Sequence, residues 1–130
     1  MFIKNRKLYA FFLCIIFLFS GCAPQYTDSG LENPGVKVTF LDVGKGDAIL
    51  IETQEHTMMI DSGYDDTYKV IRNYLAGQEI QKLDYLVITH FDKDHVGGAD
   101  RIIKSFEVGE ILQPDYQSDA GQYLEYCAVL

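Results

Sequence analysis

Apolar and polar positions change their period several times along this chain, and each change marks an element. Leu8 to Phe19 is a run of twelve uncharged residues preceded by Lys4, Arg6 and Lys7. As a helix it would measure about 18 Å, short of the roughly 30 Å of a hydrocarbon core. It therefore fits the apolar region of an export signal better than a permanent span. Residues 23–34 are polar and hold Pro24 and Pro34, the composition of a tether. From residue 36 the pattern becomes that of a folded domain, so the chain divides into a leader (1–21), a tether (22–35) and a domain (36–130).

Within the domain, Val36, Val38 and Phe40 alternate with Lys37 and Thr39, which predicts a half-buried strand. Gly44-Lys45-Gly46-Asp47 is a turn. It leads to Ala48–Ile51, a strand apolar on both faces, and after the polar turn at Gln54–His56 a third strand runs from Thr57 to Ile60. Three strands joined by tight turns predict an antiparallel meander at one edge of the sheet. Asp66 is the expected N-cap of a helix with Val70, Ile71, Tyr74 and Leu75 on one face and Gly77 at its end. Leu83–Thr89 reads as a strand buried on both faces. Ala99, Ile102, Ile103 and Phe106 stand at i, i+3, i+4 and i+7, an amphipathic helix. Val108–Leu112 is a further strand stopped before Pro114, and Gly121 starts a last helix. The class is α/β: a mixed sheet with flanking helices.

Composition adds limits. The 130 residues are 48% hydrophobic and 23% charged, which suits one globular domain and excludes a disordered chain. The formal charge is −8; without the leader, 8 basic and 19 acidic residues remain, a net −11. Such a surface repels polyphosphate, so no nonspecific nucleic-acid clamp is expected, and a nucleic-acid substrate would have to be held by local cations. If the leader removes Cys14 and Cys22 is modified, Cys127 alone is left, so no internal disulfide forms. Cys127 is expected to be a small buried hydrophobe. No His follows it to activate a thiol.

The chemistry concentrates in His90-Phe91-Asp92-Lys93-Asp94-His95, two imidazoles and two carboxylates directly after a buried strand. Two of the three histidines fall within these six positions. In an extended segment, His90 and Asp92 could share one cation while Asp94 and His95 address a second. Neutral imidazole with carboxylate suits Zn²⁺, Mn²⁺ or Fe²⁺ better than Ca²⁺. His56, in a polar turn, is expected to be merely exposed.

At these residues the chain resembles the metallo-β-lactamase fold superfamily, whose signature is H-x-H-x-D-H, and within it the ComEC-like branch, where the middle position is commonly Asp. Three blocks carry the resemblance: Phe40 to Leu50, Ile60-Asp61-Ser62-Gly63, and Thr89 to Gly98. Lys45 stands where the branch usually has Gln. The resemblance implies the N-terminal half of an αββα sandwich around two divalent metal ions, Zn or Mn. It makes His90 and Asp92 ligands of the first ion and Asp94 and His95 ligands of the second, with Asp94 beside the attacking water. It also gives Asp61 a supporting role behind the ligands, although Asp61 is equally readable as a strand-end turn residue. Asp42 and Asp47 read as stabilisers of the Gly44–Gly46 turn.

At the N-terminus, Phe19-Ser20-Gly21-Cys22 resembles a bacterial lipobox with Phe19 in place of Leu. That implies lipidation of Cys22 and an exported chain anchored to the outer face of a bacterial membrane. The alternative is an uncleaved N-terminal anchor; either way the domain faces outward.

No His follows His95, whereas the superfamily takes a further His, a bridging Asp and a final His from downstream. Nothing around Asp115 or Asp119 matches that bridging Asp. The chain therefore reads as a truncated product, or as a short protein completed by a second chain. Little hydrolase activity is expected of it, and the half-sheet of Leu86 and Ile88 is expected to lie open. Two functions remain: a metal-dependent hydrolase acting on a phosphodiester or another ester or amide, and a non-catalytic surface lipoprotein using the half-fold as a binding or assembly module.

Overall fold

The computed structural model describes residues 35–130. The leader, Cys22 and nearly all of the tether lie outside the described residues. Strands β1 (Val36–Phe40), β2 (Ile49–Thr53) and β3 (Thr57–Ile60) form the antiparallel meander that their alternation and turns predict. A 3₁₀ turn (Asp65–Thr67) and helix α1 (Tyr68–Gly77) then cross over to β4 (Lys82–Val87), which lies parallel to β3. Helices α2 (Lys93–Val96) and α3 (Ala99–Ser105) make a second crossover to β5 (Glu107–Leu112), parallel to β4, and α4 (Gly121–Cys127) follows. The strand order is β1-β2-β3-β4-β5, a mixed sheet with flanking helices.

Cross-strand register explains the core. Leu50 pairs with Met59, Met59 with Leu86 and Leu86 with Ile111, so these side chains form one row on one face. Leu50, Met59 and Leu86 are fully buried with Ile71 and Leu75 of α1 and Ile102 of α3. Each such side chain contributes about 1.5–3 kcal/mol by leaving water. Helix α1 ends at Gly77; past Gln78 the backbone turns left-handed at Glu79 (φ 58°), and the Ile80 N–H then bonds back to the Leu75 carbonyl at 2.9 Å. That turn returns Ile80 to the core.

Several expectations are corrected. The strand at Val36–Phe40 is not half-buried: Val36, Val38 and Phe40 are 56%, 50% and 77% exposed. Their row continues through Ile51, Met58, Tyr85 and Val87, which are only partly buried, so the open face of the sheet is this one. Leu86 and Ile88, expected to lie open, are buried at 0% and 1%. The cause is non-local. Both parallel crossovers lay their helices over the row of Leu86, as right-handed connections in one direction require. Leu83, at the start of β4, is buried as well, whereas Tyr85 and Val87 are only partly so. Helix α1 starts at Tyr68 rather than near Asp66, and Val70 points outward at 42% exposure. Cys127 is exposed, because Tyr126 takes the inward position of that turn.

Candidate metal site

The site lies at the carboxyl ends of the neighbouring parallel strands β3 and β4, where α/β sheets leave a crevice for ligands. Asp61 follows β3 directly, and its N–H bonds to the Val87 carbonyl of β4 at 2.8 Å. Asp61 is left-handed (φ 56°), a conformation that Asp tolerates better than most residues. This turns its carboxylate under the segment that leaves β4. There it accepts the Thr89 N–H at 2.8 Å, the Thr89 hydroxyl at 2.6 Å and His95 Nδ1–H at 2.9 Å. With 3% side-chain exposure, this carboxylate is occupied by three donors and has little left to offer a cation.

The same network assigns both ring tautomers. Thr89 has one hydroxyl proton, and it goes to the Asp61 carboxylate. Toward His90 Nδ1, 3.0 Å away, the hydroxyl oxygen must therefore accept, so His90 is protonated at Nδ1. His95 donates from Nδ1 to Asp61. Both imidazoles thus present Nε2 as their free nitrogen, and their ring centroids are 3.8 Å apart. His90 Nε2 stands 3.6 Å from Asp92 Oδ2, and His95 Nε2 stands 3.9 Å from Asp94 Oδ2. These gaps are too long for hydrogen bonds. They lie inside the limit of about 4 Å for two ligands each about 2 Å from a shared ion, and a modest side-chain movement would bring each pair to the tetrahedral separation of about 3.3 Å.

His90, Asp92, Asp94 and His95 are therefore brought together, but not by an extended segment. Asp92 is extended (ψ 145°) and α2 begins at Lys93, so Asp94 and His95 project from a helical turn. That turn is held from two sides. The His95 carbonyl accepts the Ser62 N–H at 2.8 Å and the Ser62 hydroxyl at 2.7 Å. On the other side the Asp94 carbonyl accepts the Asp47 N–H at 3.2 Å, and a side chain at Gly46 would collide with that same carbonyl. Glycine at 46 is what lets the β1–β2 turn approach the ligand loop.

Asp47 also lies beside the cluster. Read as a turn stabiliser, it places Oδ2 3.8 Å from His95 Nδ1, and Asp47, Asp61 and His95 each offer a donor atom within 4.8 Å of the others. The signal was a carboxylate directly after a turn whose glycine has no side chain. Asp42 does stabilise that turn, accepting the Gly44 N–H at 3.3 Å. His56 is exposed in its hairpin, 3.7 Å from Asp84, away from the cluster. Asp115 and Asp119 are exposed as well, and no described contact ties them to the cluster.

The sequence profile of the Metallo-beta-lactamase superfamily matches residues 41–128, and the chain belongs to that superfamily. Two curated proteins are similar to it. It is 31% identical over 102 residues to Recombination protein 2 of Haemophilus influenzae (strain ATCC 51907 / DSM 11121 / KW20 / Rd), a match covering 75% of this chain and 13% of that protein. It is 28% identical over 96 residues to ComE operon protein 3 of Bacillus subtilis (strain 168), covering 60% of this chain and 12% of that protein. The chain thus spans only 12–13% of the length of these relatives. Among solved structures, a metallo-beta-lactamase from Cronobacter sakazakii (Enterobacter sakazakii) with a HARLDQ motif is similar at 20% identity and TM-score 0.46, over 57% of this chain and 30% of that one.

Proposed function

We propose that this chain binds divalent cations, Zn²⁺ or Mn²⁺, through His90, Asp92, Asp94 and His95, as part of a hydrolytic centre for phosphodiesters or related esters and amides. The observation that carries the reading is the pair of free Nε2 atoms, each 3.6–3.9 Å from a carboxylate and both oriented through Asp61. A bound divalent cation would lower the pKa of water toward neutrality. The chain's own part is to orient and to move protons. Asp61 fixes His95, Thr89 links Asp61 to His90, and Asp94, with 32% side-chain exposure, is placed to orient a water or accept its proton. Membership in the superfamily supports this reading.

The donors number four, two for each of two cations, about two short of a closed tetrahedral shell apiece. Hydrolysis of bis(p-nitrophenyl) phosphate by the 130-residue chain with Mn²⁺ is therefore expected to be slow, and what turnover there is should vanish in Asp94→Ala. Turnover that survives Asp94→Ala would remove Asp94 from this role.

We further propose that Cys22 carries a lipid and that the chain is exported and held at the outer face of a bacterial membrane. The order of charged, apolar and small residues before Cys22 supports this. Labelled palmitate should enter the wild-type chain and not Cys22→Ser; equal labelling of both would end the lipoprotein reading.

A further inference from the structure

We propose that Tyr116 is a positioning residue for the cation site, acting through the backbone of Phe91. The inference rests on the metal-site reading above and extends it to a residue outside the ligand motif. A single residue, Phe91, separates His90 from Asp92, so its backbone sets how far apart those two donors stand. The Phe91 N–H is spent on neither a helix nor a strand. It donates to the phenol oxygen of Tyr116 at 3.1 Å, from a segment 25 residues further on.

The Phe91 side chain is held by the same segment and by α4 after it. It is 2% exposed, with the Tyr116 ring edge-on at 4.8 Å and the Tyr123 ring at 4.4 Å between centroids. Aromatic pairs at these separations hold orientation as well as bury area. The residues around Tyr116, between β5 and α4, form no regular element, so something else must place them. Fully buried Tyr126 of α4 does so by donating its hydroxyl to Gln113. Burial pushes the Tyr126 phenol up to about 12, so it remains a neutral donor at any ordinary pH. The chain of support runs from α4 through Gln113 and Tyr116 to the Phe91 peptide, and from there to the His90–Asp92 spacing. Tyr116 is itself 50% exposed, so its hydroxyl can be removed without opening a buried cavity.

The test uses the full chain and three variants: Tyr116→Phe, which keeps the ring; Tyr74→Phe, which loses a hydroxyl bonded to Thr39, away from the site; and the His90→Ala, His95→Ala double variant. Two quantities are read: amide exchange at Phe91 without metal, and Co²⁺ binding followed by its visible absorption. In Tyr116→Phe the Phe91 amide should exchange about tenfold faster. Co²⁺ affinity should fall about fivefold, because the free chain then spends most of its time at His90–Asp92 spacings that binding must correct, and the absorption at saturation should change shape. Tyr74→Phe should alter neither. If wild type binds Co²⁺ through His90 and His95 and Tyr116→Phe binds it with the same affinity and spectrum, the positioning role is overturned while the site stands. Faster exchange with unchanged Co²⁺ binding overturns it too, since Tyr116 would then serve packing alone. If wild type binds no Co²⁺ that depends on the two histidines, the site reading falls and this inference falls with it.

Discussion

Asp61→Ala is expected to destabilise the chain by about 3 kcal/mol or more, read as a lowered urea midpoint with an unchanged slope. The variant would leave the Thr89 N–H, the Thr89 hydroxyl and His95 Nδ1–H without their shared acceptor at a position 2% exposed. Thr89 is exposed and can turn its donors to water, but His95, with 14% side-chain exposure, would be left with an unpaired Nδ1–H, a loss of about 1–3 kcal/mol. Alanine would also have to hold the left-handed backbone at φ 56°, which costs a further 1–2 kcal/mol or so. Asp61→Asn should lose roughly half as much, because asparagine tolerates that conformation and keeps one acceptor oxygen. A loss in Asp61→Ala with none beyond about 0.5 kcal/mol in Asp61→Asn would mean that only the turn matters, and that the carboxylate does not organise the histidines.

A second large effect separates the two faces of the sheet. Leu86→Ala should cost about 3 kcal/mol, because Leu86 is fully enclosed between Met59, Ile111 and the helices over them. Val38→Ala, on the open row at 50% exposure, should change stability by less than about 0.5 kcal/mol. Phe40→Ser, at 77% exposure, should likewise cost little and reduce self-association. Paired unfolding curves for Leu86→Ala and Val38→Ala check this. A greater loss for Val38→Ala would show that the row of Val38, not that of Leu86, faces the core.

Elements whose signals are local were legible in the sequence. The β1–β2–β3 meander follows from alternation punctuated by Gly44-Lys45-Gly46 and Gln54–His56, and α3 follows from the spacing of Ala99, Ile102 and Ile103. The concentration of ligand types in His90–His95 was equally plain, as was its place after a strand. What was not legible depends on pairing and handedness. The apolar residues of β4 occupy both faces, so periodicity could not say which row the crossovers would cover, and Leu86 was assigned to the wrong side. The helical turn at Lys93–Val96 is only four residues long and is held by Ser62 and the β1–β2 turn, contacts that no local pattern reveals. The place of Asp47 beside His95 was not legible for a related reason. Its own turn explains it locally, while its approach to His95 comes from packing between segments nearly fifty residues apart in sequence. Cys127 shows the limit of residue type as a guide, because Tyr126 is larger and takes the buried position beside it.

The central claim is that His90 and His95, oriented through Asp61 and paired with Asp92 and Asp94, hold divalent cations. Isothermal titration of the full chain with Zn²⁺ and with Mn²⁺, alongside the His90→Ala, His95→Ala double variant, tests it most directly. The expected result is saturable wild-type binding, weaker than that of a closed four-ligand site and reduced at least about a hundredfold in the double variant, since each cation loses its only imidazole. Binding of the same affinity and stoichiometry in the double variant would place the cations elsewhere and contradict the account.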